Sequence, residues 1–259
     1  MRKEILLSII TINYNNENGL LQTINSIQKQ KINKDYLNKY EYIVIDGFSN
    51  DTSIEIIKNS KVINKYLIER DEGIADAFNK GIDLSSGKYL YFLNSGDIFY
   101  ENSTLSNIVK DIKTFDVDIL INKIAMVDEN KNIKNIAGKS INLKKQKYRK
   151  YLPHQGMLIK KDLFNRYGKY DINYRLGMDY EWSLRLLKDI DKLKIKFDDK
   201  VVCKMLEGGI SQTRYKDSFI AYHKARVKND IMNKNISYLI SVFFIIKRSA
   251  GLWVRDLIK

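Results

Sequence analysis

The chain contains few of the residues that form disulfides, bind zinc or interrupt helices, with one cysteine, two histidines and one proline among 259 residues. Cys203 has no second cysteine with which to form an internal disulfide. With only His154 and His223 beside it, a Cys/His zinc cluster is excluded as well. We therefore expect a protein of a reducing cytosol that folds around a hydrophobic core.

Long apolar runs are also missing, since no run reaches the roughly 20 residues that a membrane-spanning helix needs. The apolar stretch near the N-terminus ends at Asn13 without a small-residue cleavage site. This pattern predicts a buried strand rather than a signal peptide.

The composition is that of an ordinary globular protein, with 44% hydrophobic and 29% charged residues. Lys and Arg outnumber Asp and Glu by 45 to 31, for a net charge of +14. This excess indicates either an anionic partner or a generally basic, solvated surface. No nucleic-acid-binding motif accompanies the charge, so we expect no nucleic-acid partner.

The first half of the chain alternates strand-like and helical patterns, which is typical of a mostly parallel sheet flanked by helices. Strands are predicted at 5–12, 42–45, 62–68 and 89–93, and helices at 19–30, 52–58 and 74–84. A capping-box spacing at Thr52 and Glu55 predicts the start of the second helix. Polar clusters follow all four strands, so we expect one polar rim at the carboxyl ends of the sheet.

The pattern is looser in the second half. A helix to about Lys113, strands near 118–127, 155–159 and 201–205, and a helix near 180–187 are predicted. The Lys- and Asn-rich stretch 128–150 is interpreted as a mobile loop or lid. We predict one catalytic domain over 1–211 and a helical extension over 212–259.

Neither a Gly-x-Gly-x-x-Gly fingerprint nor a Gly-Lys-Ser/Thr phosphate loop is found, which argues against two common nucleotide folds. Five blocks instead occur in order, at 8–15 (SIITINYN), 45–52 (IDGFSNDT), 71–81 (DEGIADAFNKG), 93–97 (LNSGD) and 177–182 (GMDYEW). In these blocks the chain resembles glycosyltransferase family 2, over roughly residues 4–211, and in particular its bacterial exopolysaccharide and lipid-linked repeat-unit branch.

The resemblance implies an α/β GT-A fold with a mixed, mostly parallel sheet, flanking helices and a C-terminal helical appendage. It implies an inverting sugar transfer from a nucleotide sugar, with UDP as the expected nucleotide and Mg²⁺ or Mn²⁺ as the cofactor. The residues implied to bind the nucleotide are Thr11, Asn13, Asn15, Asp46, Asp71 and Asn79. Many relatives carry two adjacent acids after the second strand, whereas this chain has Asp46 followed by Gly47.

The family's metal-binding motif corresponds to residues 94–97, in which Asp97 is the remaining acid. A hard cation can be held by one or two protein oxygens when diphosphate and water supply the other ligands. Taken alone, these residues would equally fit a polar turn after a buried strand.

Asp179 matches the family's general base, which would take the proton of the attacking acceptor hydroxyl. The same residue could instead cap the helix that follows it. Glu181 is the nearby substitute, and His154 and Asn94 are assigned to contact with the acceptor or the diphosphate.

The tail from 215 to 259 places Lys224, Arg226, Lys228 and Lys234 before the apolar run 238–246, with Lys247, Arg248, Trp253 and Arg255 around and after its end. This mixture fits a helix at an anionic membrane surface. A core helix or an oligomer contact is the alternative. The expected acceptor is lipid-linked or a glycan, at the cytoplasmic face of the membrane, and a non-catalytic nucleotide-sugar or membrane-binding module is the competing interpretation.

Overall fold

The computed structural model describes residues 4–140, 142–148, 150, 152–209 and 213–257, with side chains up to residue 251. Nine strands of this part form one sheet, in the order β3-β2-β1-β4-β8-β6-β9-β5 with β7 beside β6. They are β1 (Leu7–Asn13), β2 (Tyr40–Asp46), β3 (Lys65–Ile68), β4 (Tyr89–Phe92), β5 (Ile98–Phe99), β6 (Ile119–Val127), β7 (Ile133–Ala137), β8 (Met157–Lys160) and β9 (Ile195–Leu206).

The first four strands are parallel to one another, whereas β8 runs antiparallel to both of its neighbours, β4 and β6. The carboxyl ends of β1, β2 and β4 therefore lie at one edge of the sheet, with Asn13 paired to Asp46 in the register. The predicted polar rim forms at this edge.

Eight α-helices accompany the sheet in the described part of the chain. They are α1 (Glu17–Gln28), α2 (Ser53–Asn59), α3 (Ile74–Leu84), α4 (Thr104–Phe115), α5 (Asp162–Tyr167), α6 (Met178–Leu186), α7 (Tyr215–Lys228) and α8 (Lys234–Leu257). The prediction of a mixed α/β sheet with flanking helices and a C-terminal helical appendage is confirmed.

Two hydrophobic clusters cover the two faces of the sheet. In β1, Ile9 packs with α1 and α4 in one cluster, and Ile10 packs with α3 and α6 in the other. Successive side chains of a strand point to opposite faces, so a strand covered on both faces must be apolar throughout. This explains the continuous apolar runs of the first, second and fourth strands.

The capping box predicted at the start of α2 is wrong. Thr52 is the N-cap residue of this helix, but its side chain makes no capping hydrogen bond. Its hydroxyl instead donates to the Glu17 carboxylate at 2.5 Å, and its backbone N–H donates to the same carboxylate oxygen at 2.9 Å. The Glu17 carboxylate of α1 therefore takes the place of Glu55 as the acceptor for the backbone N–H of Thr52.

The stretch 128–150 is not an irregular loop. It contains β7, which pairs antiparallel with β6, and a short 3₁₀ helix at Leu143–Lys147. Tyr180 Oη donates to the Lys147 carbonyl at 3.3 Å, and Arg226 donates to the Tyr148 carbonyl at 2.7 Å. The end of this stretch is therefore attached to α6 and α7.

The C-terminal helices pack onto the same core as α6. Tyr222 of α7 lies against Tyr180 of α6, with ring centroids 4.5 Å apart, and Ala225 is fully buried in the same cluster. The predicted domain boundary at 211 lies outside the described residues, as do the side chains of Trp253 and Arg255. Among the described helices, none combines the length and apolarity that a membrane crossing requires.

Candidate active site

A first cavity of about 880 Å³ opens at the carboxyl ends of β1 and β2, beside the start of α3. The end of β1, the start of α3 and the loops after β1, β2, β3 and β4 line it, with residues that include Asn13, Tyr14, Gly47, Phe48, Arg70 and Asp71. A second cavity of about 740 Å³ adjoins it and is lined by, among others, Asp97, Lys150, His154, Gln155, Arg175 and Asp179.

The two cavities share one wall, formed by Asn16, Ile74, Asn94 and Ser95. The fold thus brings Asp97, which follows β4, into the same cavity as Asp179, which is about 80 residues further along the chain. Of the residues assigned from the sequence, Asn13, Asp71, Asn94, Asp97, His154 and Asp179 all line these cavities.

Asp46 supports the first cavity from behind rather than lining it. Its side chain is fully buried, and it accepts from Ser49 N, Ser49 Oγ and Asn13 Nδ2, each at 2.8 Å. Asn13 Oδ1 in turn accepts from Ser95 Oγ at 2.7 Å. Asp46 therefore positions the Asn13 amide at the cavity wall, and its direct contact with a nucleotide is not supported by this placement.

Asp71 is the carboxylate of the first cavity wall. Burial raises the pKa of this carboxyl even though Lys80 Nζ lies 2.8 Å from Oδ1. A Cβ on Gly47 would lie 2.9 Å from Asp71 Oδ2, so even the smallest side chain at position 47 would press on this acid. Many relatives have a second acid at the position of Gly47. In this chain the Asp71 carboxylate, from the loop after β3, lies beside that position.

Thr11 and Asn15, assigned to the nucleotide pocket from the sequence, lie elsewhere. Thr11 is fully buried in the sheet, where its hydroxyl donates to the Leu93 carbonyl at 2.5 Å and accepts from Tyr42 Oη. Asn15 has a left-handed backbone (φ +47°) and accepts from Asn50 N at 2.9 Å. Thr11 therefore connects neighbouring strands and Asn15 connects two loops, and neither is among the residues that line the first cavity.

Asn79 and Glu181 are also corrected by the structure. The Asn79 amide makes two hydrogen bonds with the backbone of Tyr170, at 2.8 and 3.0 Å. Glu181 is buried on the other side of α6, where it pairs with Arg185 at 2.5 Å and accepts from Asn229 at 3.0 Å. Both side chains stabilise packing, so neither is placed to bind a ligand.

Asp97 has the protonation behaviour of a carboxyl withdrawn from water. It is 6% exposed, and burial raises its pKa to about 7 against the opposing hydrogen bonds from the Asn94 backbone and Gln155. Among the described residues, Asp97 Oδ2 and Asn94 Oδ1 are buried oxygens without a hydrogen-bond partner.

These two oxygens fit a hard divalent cation, which prefers carboxylate and carbonyl oxygen ligands. In the part of the chain that the structure describes, no group of three or more His, Cys, Asp or Glu could hold a metal by itself. The protein would therefore supply only part of the coordination of Mg²⁺ or Mn²⁺, and a bound diphosphate would supply the remainder.

Asp179 lies in the first turn of α6 but is not its cap, because Gly177 occupies the N-cap position. Its carboxylate forms an ion pair with Lys150 and accepts from Tyr180 N at 2.8 Å. Burial acts to raise its pKa, but the nearby charge of Lys150 outweighs this, so the pKa lies below its ordinary value. The group is fully ionised at neutral pH.

His154 is a neutral ring in the wall of the second cavity. Burial lowers its pKa to about 4. Its Nε2 lies 2.8 Å from Tyr170 Oη, and its ring stacks on Phe92 at 4.8 Å between centroids. It can accept or donate a hydrogen bond, but it does not carry positive charge at neutral pH.

The sequence did not single out several residues that line the cavities. Tyr14 and Phe48 present exposed aromatic rings to the first cavity, and Lys150 covers Asp179 in the second. Arg70 and Arg175 line the first and the second cavity respectively. Tyr14 directly follows β1, and Phe48 is the second residue after β2. A large aromatic residue so close to each strand end was the signal from which both could have been found.

Comparison with known proteins identifies the class to which this fold and these cavities belong. The model of glycosyl transferase family 2 matches residues 8–171, so the chain belongs to this family and is a glycosyltransferase. It is 27% identical to a PGL/p-HBAD biosynthesis glycosyltransferase of Mycobacterium bovis BCG, over 70% of this chain and 71% of that protein. It is also 27% identical to the uncharacterized glycosyltransferase Rv1514c of Mycobacterium tuberculosis, over 80% of this chain and 78% of that one.

Solved structures share the fold at lower identity. TarS 1–349 of S. aureus in complex with UDP-GlcNAc superposes with a TM-score of 0.66 and 18% identity, over 93% of this chain and 72% of that one. The mannosyltransferase PcManGT of Pyrobaculum calidifontis, in complex with GDP-Man and Mn²⁺, gives 0.59 and 17%, over 88% and 64%. Against the longer TarS chain, the present chain spans 43% of the length.

Proposed function

We propose that this protein is a metal-dependent, inverting glycosyltransferase that moves a sugar from a UDP-sugar to a lipid-linked or glycan acceptor in cell-surface polysaccharide biosynthesis. The observation that carries the proposal is the pairing of Asp97 and Asp179 in one cavity, next to a second cavity suited to a nucleotide. An inverting transfer needs a cation site at the leaving group and a base on the opposite side of the sugar.

The nucleotide lies in the first cavity. The exposed rings of Tyr14 and Phe48 offer stacking surfaces for the base, which are worth roughly 1–3 kcal/mol per base in comparable sites. Asp71 and the Asn13 amide, both at the cavity wall, are suited to hydrogen bonds with the ribose or the base edge. The UDP-GlcNAc bound to TarS supports uridine as the nucleoside.

Asp97 and Asn94 are the residues that would hold the cation, and the Mn²⁺ of PcManGT supports a divalent ion here. The chemistry that Mg²⁺ or Mn²⁺ supplies when bound is neutralisation of the charge on the departing diphosphate. Because the pKa of Asp97 is about 7, cation binding at neutral pH competes with a proton for this carboxylate.

Asp179 is the general base. It accepts the proton of the acceptor hydroxyl while the hydroxyl oxygen bonds to the anomeric carbon and the bond from that carbon to the diphosphate oxygen breaks. The attack comes from the face opposite the leaving group, so the anomeric configuration inverts without a covalent enzyme intermediate. His154, neutral and beside Asp179 in the cavity wall, is available to hydrogen-bond the acceptor.

The C-terminal helix supports a position at the cytoplasmic face of a membrane. Ile236, Leu239, Phe243 and Ile246 of α8 are all more than half exposed, and they recur at a spacing that places them on one helix side. We name these four residues the α8 apolar stripe. An amphipathic helix of this kind, in a chain of net charge +14, fits an anionic membrane surface that holds a lipid-linked acceptor.

The test compares Asp97→Asn and Asp179→Asn with the wild-type protein. UDP release from a UDP-sugar panel, with and without Mn²⁺, should fall in both variants, by about 10²- to 10⁴-fold for the base variant. UDP affinity measured by calorimetry should lose its Mn²⁺ dependence in Asp97→Asn and remain unchanged in Asp179→Asn. Asp199→Asn, at a carboxylate that is 93% exposed, is the control.

Near-normal turnover in both variants would overturn the assignment. UDP-sugar binding without turnover against a broad acceptor panel would favour a non-catalytic nucleotide-sugar or membrane-binding module. That alternative is motivated by the single carboxylate of the 94–97 motif.

A further inference from the structure

The base assigned above is covered by a cation. Lys150 Nζ pairs with Asp179 Oδ2, and the two side chains are 29% and 15% exposed. In this state the carboxylate is engaged by a positive charge that also lowers its pKa, and both properties weaken it as a base. Lys150 holds Oδ2 and the Tyr180 backbone N–H donates to Oδ1, so departure of Lys150 would give the acceptor hydroxyl an oxygen that no other described donor holds.

The position of Lys150 is built into the fold. Upstream of it, Gln146 Nε2 donates to Ser183 Oγ at 3.0 Å, Tyr180 Oη donates to the Lys147 carbonyl, and Arg226 donates to the Tyr148 carbonyl. These bonds hold the backbone on α6 and α7, so Lys150 reaches Asp179 from an anchored segment.

A cation that leaves Asp179 needs a new anion, because a half-buried ammonium without a partner is costly. A neutral sugar hydroxyl cannot supply that anion. Arg175 lies in the wall of the same cavity, exposed and, within the described residues, without a carboxylate partner. In the described part of the chain, the cavity therefore contains one cation that needs another anion when it leaves Asp179 and a second cation that has no carboxylate partner.

We propose that Lys150 and Arg175 form a phosphate-binding site for the acceptor, in which Lys150 leaves Asp179 for a phosphate group that the acceptor carries next to its reacting sugar. The inference rests on the proposed function and narrows it, since an acceptor with a sugar phosphate or sugar diphosphate is favoured over a neutral glycan. Binding of the phosphate and release of the base then occur together. Arg is suited to a phosphate because its planar fork can donate two parallel hydrogen bonds.

The test measures binding of N-acetylglucosamine 1-phosphate and of N-acetylglucosamine while UDP and Mn²⁺ are present at saturating concentrations. In the wild-type protein the phosphate should improve Kd by about tenfold or more, the scale of one charge-assisted contact. Lys150→Gln and Arg175→Gln should each remove most of this preference. Lys144→Gln, at an exposed lysine of the same basic segment that pairs with Asp191, should retain it.

The proposal is overturned if the wild-type protein does not prefer the phosphorylated sugar, or if Lys150→Gln keeps the preference. It is also overturned if Lys150→Gln weakens the affinity for UDP and Mn²⁺ instead, because Lys150 would then serve the donor diphosphate. Slow hydrolysis of the UDP-sugar by water in the wild-type protein tests the proposed function separately. Unchanged melting temperatures of the variants exclude unfolding as the cause.

Discussion

At the scale of single residues, one residue that lines the first cavity has a backbone conformation that is unfavourable for a residue with a bulky side chain. Phe48 has φ +66° and is 56% exposed, although a bulky residue rarely adopts this left-handed conformation. Such strain costs of the order of 1–3 kcal/mol and persists where the surroundings or the function require it. Because Phe48 lines the first cavity, we expect that contact of the ring with a ligand is the function that requires this strained backbone.

A pair of substitutions separates strain from function at this position. Phe48→Gly removes the ring and accepts positive φ, whereas Phe48→Ala removes the ring and keeps most of the strain. Both variants should weaken UDP binding by about 5- to 100-fold, the value of one stacked base, when measured by calorimetry.

The melting temperature should be higher for Phe48→Gly than for Phe48→Ala, because only glycine relieves the backbone. Unchanged UDP affinity in both variants would contradict the assignment of Phe48 to the base.

Among the residues assigned from the sequence in or after β1 and β4, those that line the cavities lie at the edge of the sheet or in the loop beyond it. Asn13 is the last residue of β1, and Asp97 follows β4 by a short turn. Thr11 lies two residues below that edge, where neighbouring strands cover it. A sequence block indicates which strand end forms a site, but it does not indicate which of its polar residues the packing leaves uncovered.

At the scale of elements, long periodic segments were the easiest to predict. The predicted helix 74–84 coincides with α3, because four apolar residues of this helix face the sheet at helical spacing. The stretch 128–150 was misinterpreted because β7 is short and mostly exposed, so that only its pairing with β6 makes it a strand. The strand propensity of a segment gives no information about the strand elsewhere in the chain with which it pairs.

The joint between α7 and α8 depends on one buried guanidinium. Arg226 is fully buried and donates to Ser237 Oγ, the Ser237 carbonyl, Ser241 Oγ and the Tyr148 carbonyl. Burial lowers its pKa, and these four hydrogen-bond partners are uncharged. The bonds cross between three segments, so this residue connects the C-terminal helices to the segment that carries Lys150.

Arg226→Met should reduce the free energy of unfolding by about 3 kcal/mol, because several buried acceptors lose their donor at once. Arg226→Lys should recover only part of the loss, since an ammonium cannot match the planar fork. Urea unfolding measures both values, and Lys224→Met, at an exposed lysine of the same helix, should differ from wild type by no more than about 0.5 kcal/mol. A neutral effect of Arg226→Met would show that the guanidinium does not hold the joint.

At the scale of the whole molecule, the two cavities and the α8 apolar stripe are connected because α7 packs against both α6 and α8. Gly177, at the start of α6, has φ +72°, and a Cβ at this position would lie 2.8 Å from the Tyr222 ring of α7. Asp179 is two residues further on. The close packing of α6 against α7 therefore links α8, which packs on α7, to the residue assigned as the base.

The α8 apolar stripe predicts binding to vesicles that contain anionic phospholipid. The double variant Leu239→Glu/Phe243→Glu places charges on two side chains that are 65% and 59% exposed. Its affinity for such vesicles should fall by about 100-fold or more, because burial of one such side chain contributes roughly 1.5–3 kcal/mol. Co-sedimentation measures this loss, and binding of the wild-type protein should weaken as salt is added, since the phospholipid attraction is screened.

Leu37→Glu, at a leucine that is 53% exposed in another part of the molecule, should leave vesicle binding unchanged. Substitution on α8 cannot disturb a buried contact in the monomer to any large extent, because the side chains concerned are mostly exposed. If the double variant instead converts a dimer into a monomer and vesicle binding of the wild-type protein is weak, the stripe is a contact between two copies of the chain. Sedimentation of both proteins without vesicles distinguishes the two cases.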